Sequence, residues 1–172
     1  MSALEKNPEL KGIVLEETPW LLNAKDEGER KRRIALFFDL QRMTNEEQAS
    51  LKQLRDMQLP NGAWPWWSGM QPSRYITQHI IAGFGHLEVL RAADTRGDGQ
   101  NEQMLKRAVQ WLDAEVDREH KEYLRSTKAE DREHYVSSSM DIHLLYARSF
   151  FKRWPIDGAT RTAVDFLLRR CK

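Results

Sequence analysis

The chain has 172 residues, 40% hydrophobic and 31% charged, which suits a soluble domain with its own core and excludes a disordered segment. Its 27 basic and 26 acidic residues leave a formal net charge of +1, so no global field would hold nucleic acid or an anionic membrane. The single cysteine, Cys171, excludes an intrachain disulfide and a cysteine-rich metal site.

Apolar residues recur at helical intervals throughout, and two-residue alternation never runs long enough to argue a sheet, so the fold class is all-α. A polar helix is expected over residues 3–14, and Thr18-Pro19-Trp20 breaks the pattern because proline disfavours helical geometry at the residue before it. A second helix begins near Asp26, with Ile34, Phe37, Phe38 and Leu40 as its buried side and Glu29 to Arg32 solvated. Thr44-Asn45-Glu46-Glu47 reads as a capping box opening another helix with Leu51, Leu54 and Met57 inside. Ser73 caps a longer helix whose stripe reads Ile76, Ile80, Gly83, Phe84, Leu87 and Leu90. Gly83 and Gly85 weaken that helix, by about 1 kcal/mol each against alanine, so close approach of a neighbouring helix is expected there.

After a turn at Asp94 to Gly99, a helix carries Leu105, Ala108, Val109, Leu112 and Val116. The charged stretch Asp117 to His134 is read as a solvated helix extension and a connecting loop, with His120 and His134 exposed. The next helix displays Met140, His143, Leu144, Ala147, Phe150, Phe151 and Trp154; the last starts near Asp157 and displays Ala163, Phe166 and Leu167. Short connections favour antiparallel hairpins. The whole chain 1–172 is therefore expected to be a single all-helical domain, with 1–25 a helix and lead-in and 26–172 forming three hairpins. No membrane segment is expected, since no run of about 18 apolar residues occurs. Met1 to Pro8 lack the apolar run of a secretion signal, so an exported parent would carry its address elsewhere.

Gln58-Leu59-Pro60-Asn61-Gly62-Ala63-Trp64-Pro65-Trp66-Trp67 concentrates three of the six tryptophans beside two prolines and a glycine. Such a loop is stiff, and its rings either plug it onto the helix ends or form a sugar- or lipid-contacting platform; the plug is the preferred reading.

Gln-x-x-x-Gly-x-Trp, followed by Ser73-Arg74-Tyr75-Ile76-Thr77-Gln78-His79, resembles the repeat of α/α-toroid proteins: terpene cyclases, protein prenyltransferases and complement-type thioester domains. Glu17-Thr18-Pro19-Trp20, Arg30 to Leu36, Met57 to Gly62, Arg74 to Ile80 and Leu145 to Phe151 make the resemblance closest to the bacterial alpha-2-macroglobulin family. That resemblance implies an α/α toroid fragment of about half a ring, in an exported parent that is periplasmic, cell-surface or secreted and acts as an endopeptidase inhibitor. It implies a thioester, formed in a Cys-x-Glu-Gln motif, that captures target proteases. Here Cys171 is followed only by Lys172, so either the thioester lies outside these residues or the lineage lacks one, and this part is expected to be non-catalytic, packing against the rest of the parent protein. Gln58, Gly62, Trp64, Trp66, Tyr75, Thr77, Gln78 and His79 are the toroid-motif residues and the candidate interface. Self-association through open toroid edges is also expected.

No catalytic, cofactor-binding or metal-binding residue is assigned. His79 and His86, two turns apart on one face, make a poor metal pair without a third ligand and read as core or interface histidines. Arg96-Gly97-Asp98 is a chance tripeptide, and Asp94, Asp98 and Gly99 begin a calcium-type loop whose closing position holds Leu105. The alternative is an enzyme or ligand-binding module on the same toroid. The Asp-x-Asp-Asp motif of terpene cyclases and the Asp, Cys and His zinc ligands of prenyltransferases are both missing, while a glycosidase's paired carboxylates are left open by the sequence.

Overall fold

Three of the four helix starts after residue 70 are set by a single side chain. Ser73 accepts from the Ile76 amide, Ser138 accepts from Asp141 in a reciprocal capping box, and Asp157 accepts from Thr160. The computed structural model describes residues 26–90 and 99–171. Its helices are α1 (Glu27–Met57), α2 (Arg74–Val89), α3 (Gly99–Ser126), α4 (Ser139–Ser149) and α5 (Gly158–Leu168), with a 3-10 segment at Ala129–His134. No strand occurs among the described residues, so the class is all-α. The helix expected at 3–14, the break at Thr18-Pro19-Trp20 and residues 94–98 of the expected turn lie outside the described residues. No helix among those described is long and apolar enough to cross a membrane.

Thr44 does not start a helix. Its hydroxyl donates to the Leu40 carbonyl one turn back, at 3.0 Å, inside the unbroken α1. Threonine can bond the preceding turn as readily as cap a new one, and no glycine or proline stands nearby to stop the chain. The two helices read on either side of Thr44, which formed the first expected hairpin, are one rod of 31 residues. None of its residues is fully buried: Ile34, Phe37 and Phe38 are half-buried, and Leu40 is exposed.

The chain divides into two compact units, Met1–Lys52 and Gln53–Lys172. Within the first, the described residues after Asp26 belong to α1, which carries exposed ion pairs one turn apart, such as Lys31 to Glu27 at 2.9 Å. Within the second, side-chain contacts establish the helix directions. Arg74 at the start of α2 meets Asp141 at the start of α4, and Glu88 at the end of α2 meets Arg153 just past the end of α4, so α2 and α4 run parallel. Arg74 also meets Glu119, late in α3, which makes α3 antiparallel to α2. Ser137 before α4 bonds the Leu167 carbonyl at the end of α5, while Thr160 at the start of α5 bonds the Asp113 carbonyl within α3. The second unit is therefore two helical hairpins stacked in the same sense, with α2 and α4 in one layer and α3 and α5 in the other.

Between the layers lie Ile81 and Phe84 of α2, Leu105, Val109 and Leu112 of α3, Leu144 of α4, Phe151, and Ala163 and Leu167 of α5. The stripe read for α3 is the buried one throughout. On α2 the helix is rolled relative to the expected stripe: Thr77, Gln78, Ile81, Ala82, Phe84 and Gly85 are buried, whereas Gly83, Leu87 and Leu90 are exposed. The roll follows from the loop before it, whose hydrogen bonds draw Thr77 inward. Gly85 meets the close approach expected of it, since a β-carbon there would collide with the Phe150 ring; Gly83 has no neighbour that a β-carbon would touch.

Candidate functional site

Four of the eight motif residues form a lock between the loop and the three helices around it. Gln58 donates its side-chain amide to the carbonyls of Gly62, at 2.8 Å, and of Met104, at 2.9 Å. Gly62 has a φ of +97°, a backbone region that suits glycine, and lies directly against the Arg107 backbone. Trp64 is fully buried; its indole NH donates to the Leu54 carbonyl at 2.8 Å, and its backbone amide donates to the Thr77 hydroxyl at 2.9 Å. The Ser73 amide closes the loop by donating to the Trp64 carbonyl. Arg107 binds the Leu59 and Pro60 carbonyls from outside. The plug read for the tryptophans applies to Trp64.

Trp66 departs from that reading. It is 49% exposed and Trp67 67% exposed, so neither is a plug. Trp66 stacks on Trp67 on one side and on Tyr75 on the other, the latter nearly parallel with centroids 5.4 Å apart. Tyr75 touches His79, and His79 touches His143 of α4, each pair with ring centroids 4.6 Å apart. From His143 the contacts continue to Tyr146, whose hydroxyl lies 2.9 Å from His86 Nε2, and on to Phe150. A ribbon of touching rings thus runs along the outer side of the α2 and α4 layer. Burial first, and then the neighbouring His79, hold the His143 pKa below its ordinary 6.5.

Gln78 belongs to neither group. It is fully buried, donates weakly to the Met140 sulfur at 3.4 Å, and its Oε1 finds no donor among the described residues. The sequence reading caught Trp66, Tyr75 and His79 of the ribbon but missed Trp67, His143, Tyr146 and Phe150, because α2 and α4 are 50 residues apart and their parallel pairing leaves no local signal.

A second polar group surrounds Arg74, which binds both Glu119 and Asp141 beside a cavity of about 50 Å³. Asp141 also accepts from the Tyr135 hydroxyl, at 2.7 Å, and from the Ser138 amide and hydroxyl. Burial opposes its charge, but these hydrogen bonds outweigh burial and hold its pKa below the usual range. Glu119 is pushed up, because burial and the nearby Glu115 and Asp141 charges outweigh the attraction of Arg74 and Arg118, and burial with the Asp141 contact also raises Tyr135. Two carboxylates with opposed shifts are the pattern of an acid and base pair. Here both face one arginine, and the cavity holds little beyond a water. The arrangement is that of an ion-pair knot joining the starts of α2 and α4 to α3.

His120, read as exposed, packs its ring 4.8 Å from Phe166; its place on α3 turns it toward α5. His134 is exposed, as is the free Cys171. Among the described residues no group of three or more His, Cys, Asp or Glu side chains is placed to hold a metal ion. In comparisons of the whole chain with protein-family models, curated proteins and solved structures, no match is found.

Proposed function

We propose that this chain is a non-catalytic structural part of a bacterial alpha-2-macroglobulin-like protease trap, an exported endopeptidase inhibitor whose reactive thioester lies outside these residues. The observation that carries the reading is the use made of Gln58, Gly62, Trp64 and Thr77. Their polar atoms are engaged in fastening the loop to α1, α2 and α3, which leaves them no role in holding a ligand. Residues that the toroid resemblance singles out thereby serve as scaffold. The stacking of two hairpins in the same sense is the kind of unit from which a ring of helices is built, and it supports the toroid part of the reading.

The test uses the full-length polypeptide that carries this segment. It is incubated with an equimolar endopeptidase, and hydrolysis is followed with a protein substrate and with a small chromogenic peptide. A trap encloses the protease without blocking its active site, so cleavage of the protein substrate should fall at least about tenfold while peptide cleavage persists. Unchanged cleavage of both substrates would overturn the proposal.

A further inference from the structure

The outer side of the α2 and α4 layer contrasts with the opposite layer. α3 and α5 expose Lys106, Arg118, Lys121, Glu122, Arg161 and Asp165 to solvent. Among the described residues α2 and α4 themselves expose no Lys, Arg, Asp or Glu, in a chain that is 31% charged, and the nearest exposed charge in sequence is Lys152 beyond the end of α4. Charged residues do occur on α2 and α4, but every one is drawn into an ion pair: Arg74 with Asp141, Glu88 with Arg153, and Arg148 with Asp113. The exposed residues of α2 and α4 are aromatic, aliphatic or imidazole apart from Gly83, Ser139 and Ser149, and Met70, Ile142 and Tyr146 are each 44–50% exposed.

We propose that this face is a self-association surface, covered by the same face of a second copy of this chain. Depletion of charge with enrichment in Trp, Tyr and Met is the composition of an interface core, whereas scattered exposed apolar residues would be ordinary. Trp66, Trp67, Met70, Tyr75, Ile142 and Tyr146 are each 40–67% exposed, a grouping of large side chains rather than the single scattered apolar residues of an ordinary surface. Charge complementarity selects the occupant. A face without formal charge is matched by another such face, since any charged group set against it would be desolvated without a partner. A two-fold axis provides that match automatically, and a net charge of +1 per chain opposes the approach only weakly. A carbohydrate is a poorer fit: the faces of Trp66 and Tyr75, only 8° from parallel, cover each other and leave less ring face free to stack on a sugar. This inference stands apart from the protease-trap reading and survives its failure. It concerns the side of the hairpin stack, whereas the expectation of association through open toroid edges concerns its ends.

Sedimentation velocity on the full chain at pH 8, from roughly 1 to 200 µM, tests it. The wild type should pass from monomer to dimer, and acrylamide quenching of its tryptophans should fall over the same range. Ile142→Glu and Trp66→Glu each set two like charges across the axis and should weaken association at least about tenfold. Arg125→Glu, on the exposed side of α3, should change it less than about twofold. Ile142 and Trp66 are half exposed, so both variants should keep the wild-type helical circular dichroism; if either does not, the quenching of the wild type decides. A wild type that stays monomeric, quenching independent of concentration, or equal disruption by Arg125→Glu would overturn the proposal. So would binding of a neutral oligosaccharide such as cellohexaose to these tryptophans in a chain that remains monomeric.

Discussion

A β-carbon placed on Gly62 would lie 2.5 Å from the carbonyl oxygen of Arg107. The neighbour is helix backbone, which cannot swing away, and the φ of +97° is itself unfavourable for any residue with a side chain. Gly62→Ala should therefore destabilise the fold by at least about 2 kcal/mol. Urea unfolding of the variant would check this; a midpoint equal to wild type would mean that the loop is not fastened to α3 as described. Gly83→Ala, with open space around it, should by contrast be neutral or slightly stabilising.

Trp64 and Trp66 stand two residues apart with opposite environments, and substitution separates them. Trp64→Ala removes a fully buried ring and leaves the Leu54 carbonyl without its indole partner, which should cost about 3–5 kcal/mol. Trp66→Ala removes a half-exposed ring and should cost about 1 kcal/mol or less, chiefly the stack on Tyr75. Thermal melts of the two single variants measure the difference, and equal losses would contradict the division of the loop into lock and ribbon.

Arg148 ties the end of α4 to the middle of α3. Its guanidinium binds both oxygens of Asp113, at 2.8 and 3.2 Å, and the carbonyls of Phe151 and Trp154, each at 2.6 Å. Only 5% of Arg148 is exposed, so its removal strands a carboxylate and two carbonyls in a dry setting. Arg148→Met should lose about 3–5 kcal/mol. Arg148→Lys keeps the charge but not the planar fork and should recover less than half of that. Full recovery by lysine in chemical denaturation would show that charge alone, rather than the fork, joins the helices.

Two histidines predict a pH dependence. Burial and His79 lower the pKa of His143; burial and the Arg170 charge lower that of His120, against Asp117. A folded pKa below the ordinary 6.5 means that the unfolded chain takes up its proton first as the pH drops. The stabilisation is complete above the ordinary value and is lost as pH falls through the folded values. The melting temperature should therefore drop between about pH 7.5 and 5.5, and His120→Gln with His143→Gln should flatten that drop. An unaltered slope in the double variant would place the titrating groups elsewhere.

Periodicity in the sequence was sufficient for the all-α class, for the buried stripe of α3 and for the starts of α2 and α5, because each depends on residues within one or two turns of each other. Local signals misled at Thr44, where a hydroxyl has two bonding options that differ little in energy, and on α2, where Ile81, Ala82 and Phe84 are buried beside Thr77 and Gln78 while Gly83, Leu87 and Leu90 of the expected stripe are exposed. There the tertiary structure decided: the Trp64 amide draws Thr77 into the core, and the helix rolls with it. The motif residues were likewise legible as a group but not by role. Gln58, Gly62, Trp64 and Thr77 are absorbed into the lock, while Trp66, Tyr75 and His79 join side chains of α4 that sequence spacing could not bring to them. That division depends on α2 and α4 lying parallel, a relationship maintained by Arg74 with Asp141 and Glu88 with Arg153 across more than 60 residues of chain. Contacts of that reach have no period to reveal them, and only the packed layers bring them together.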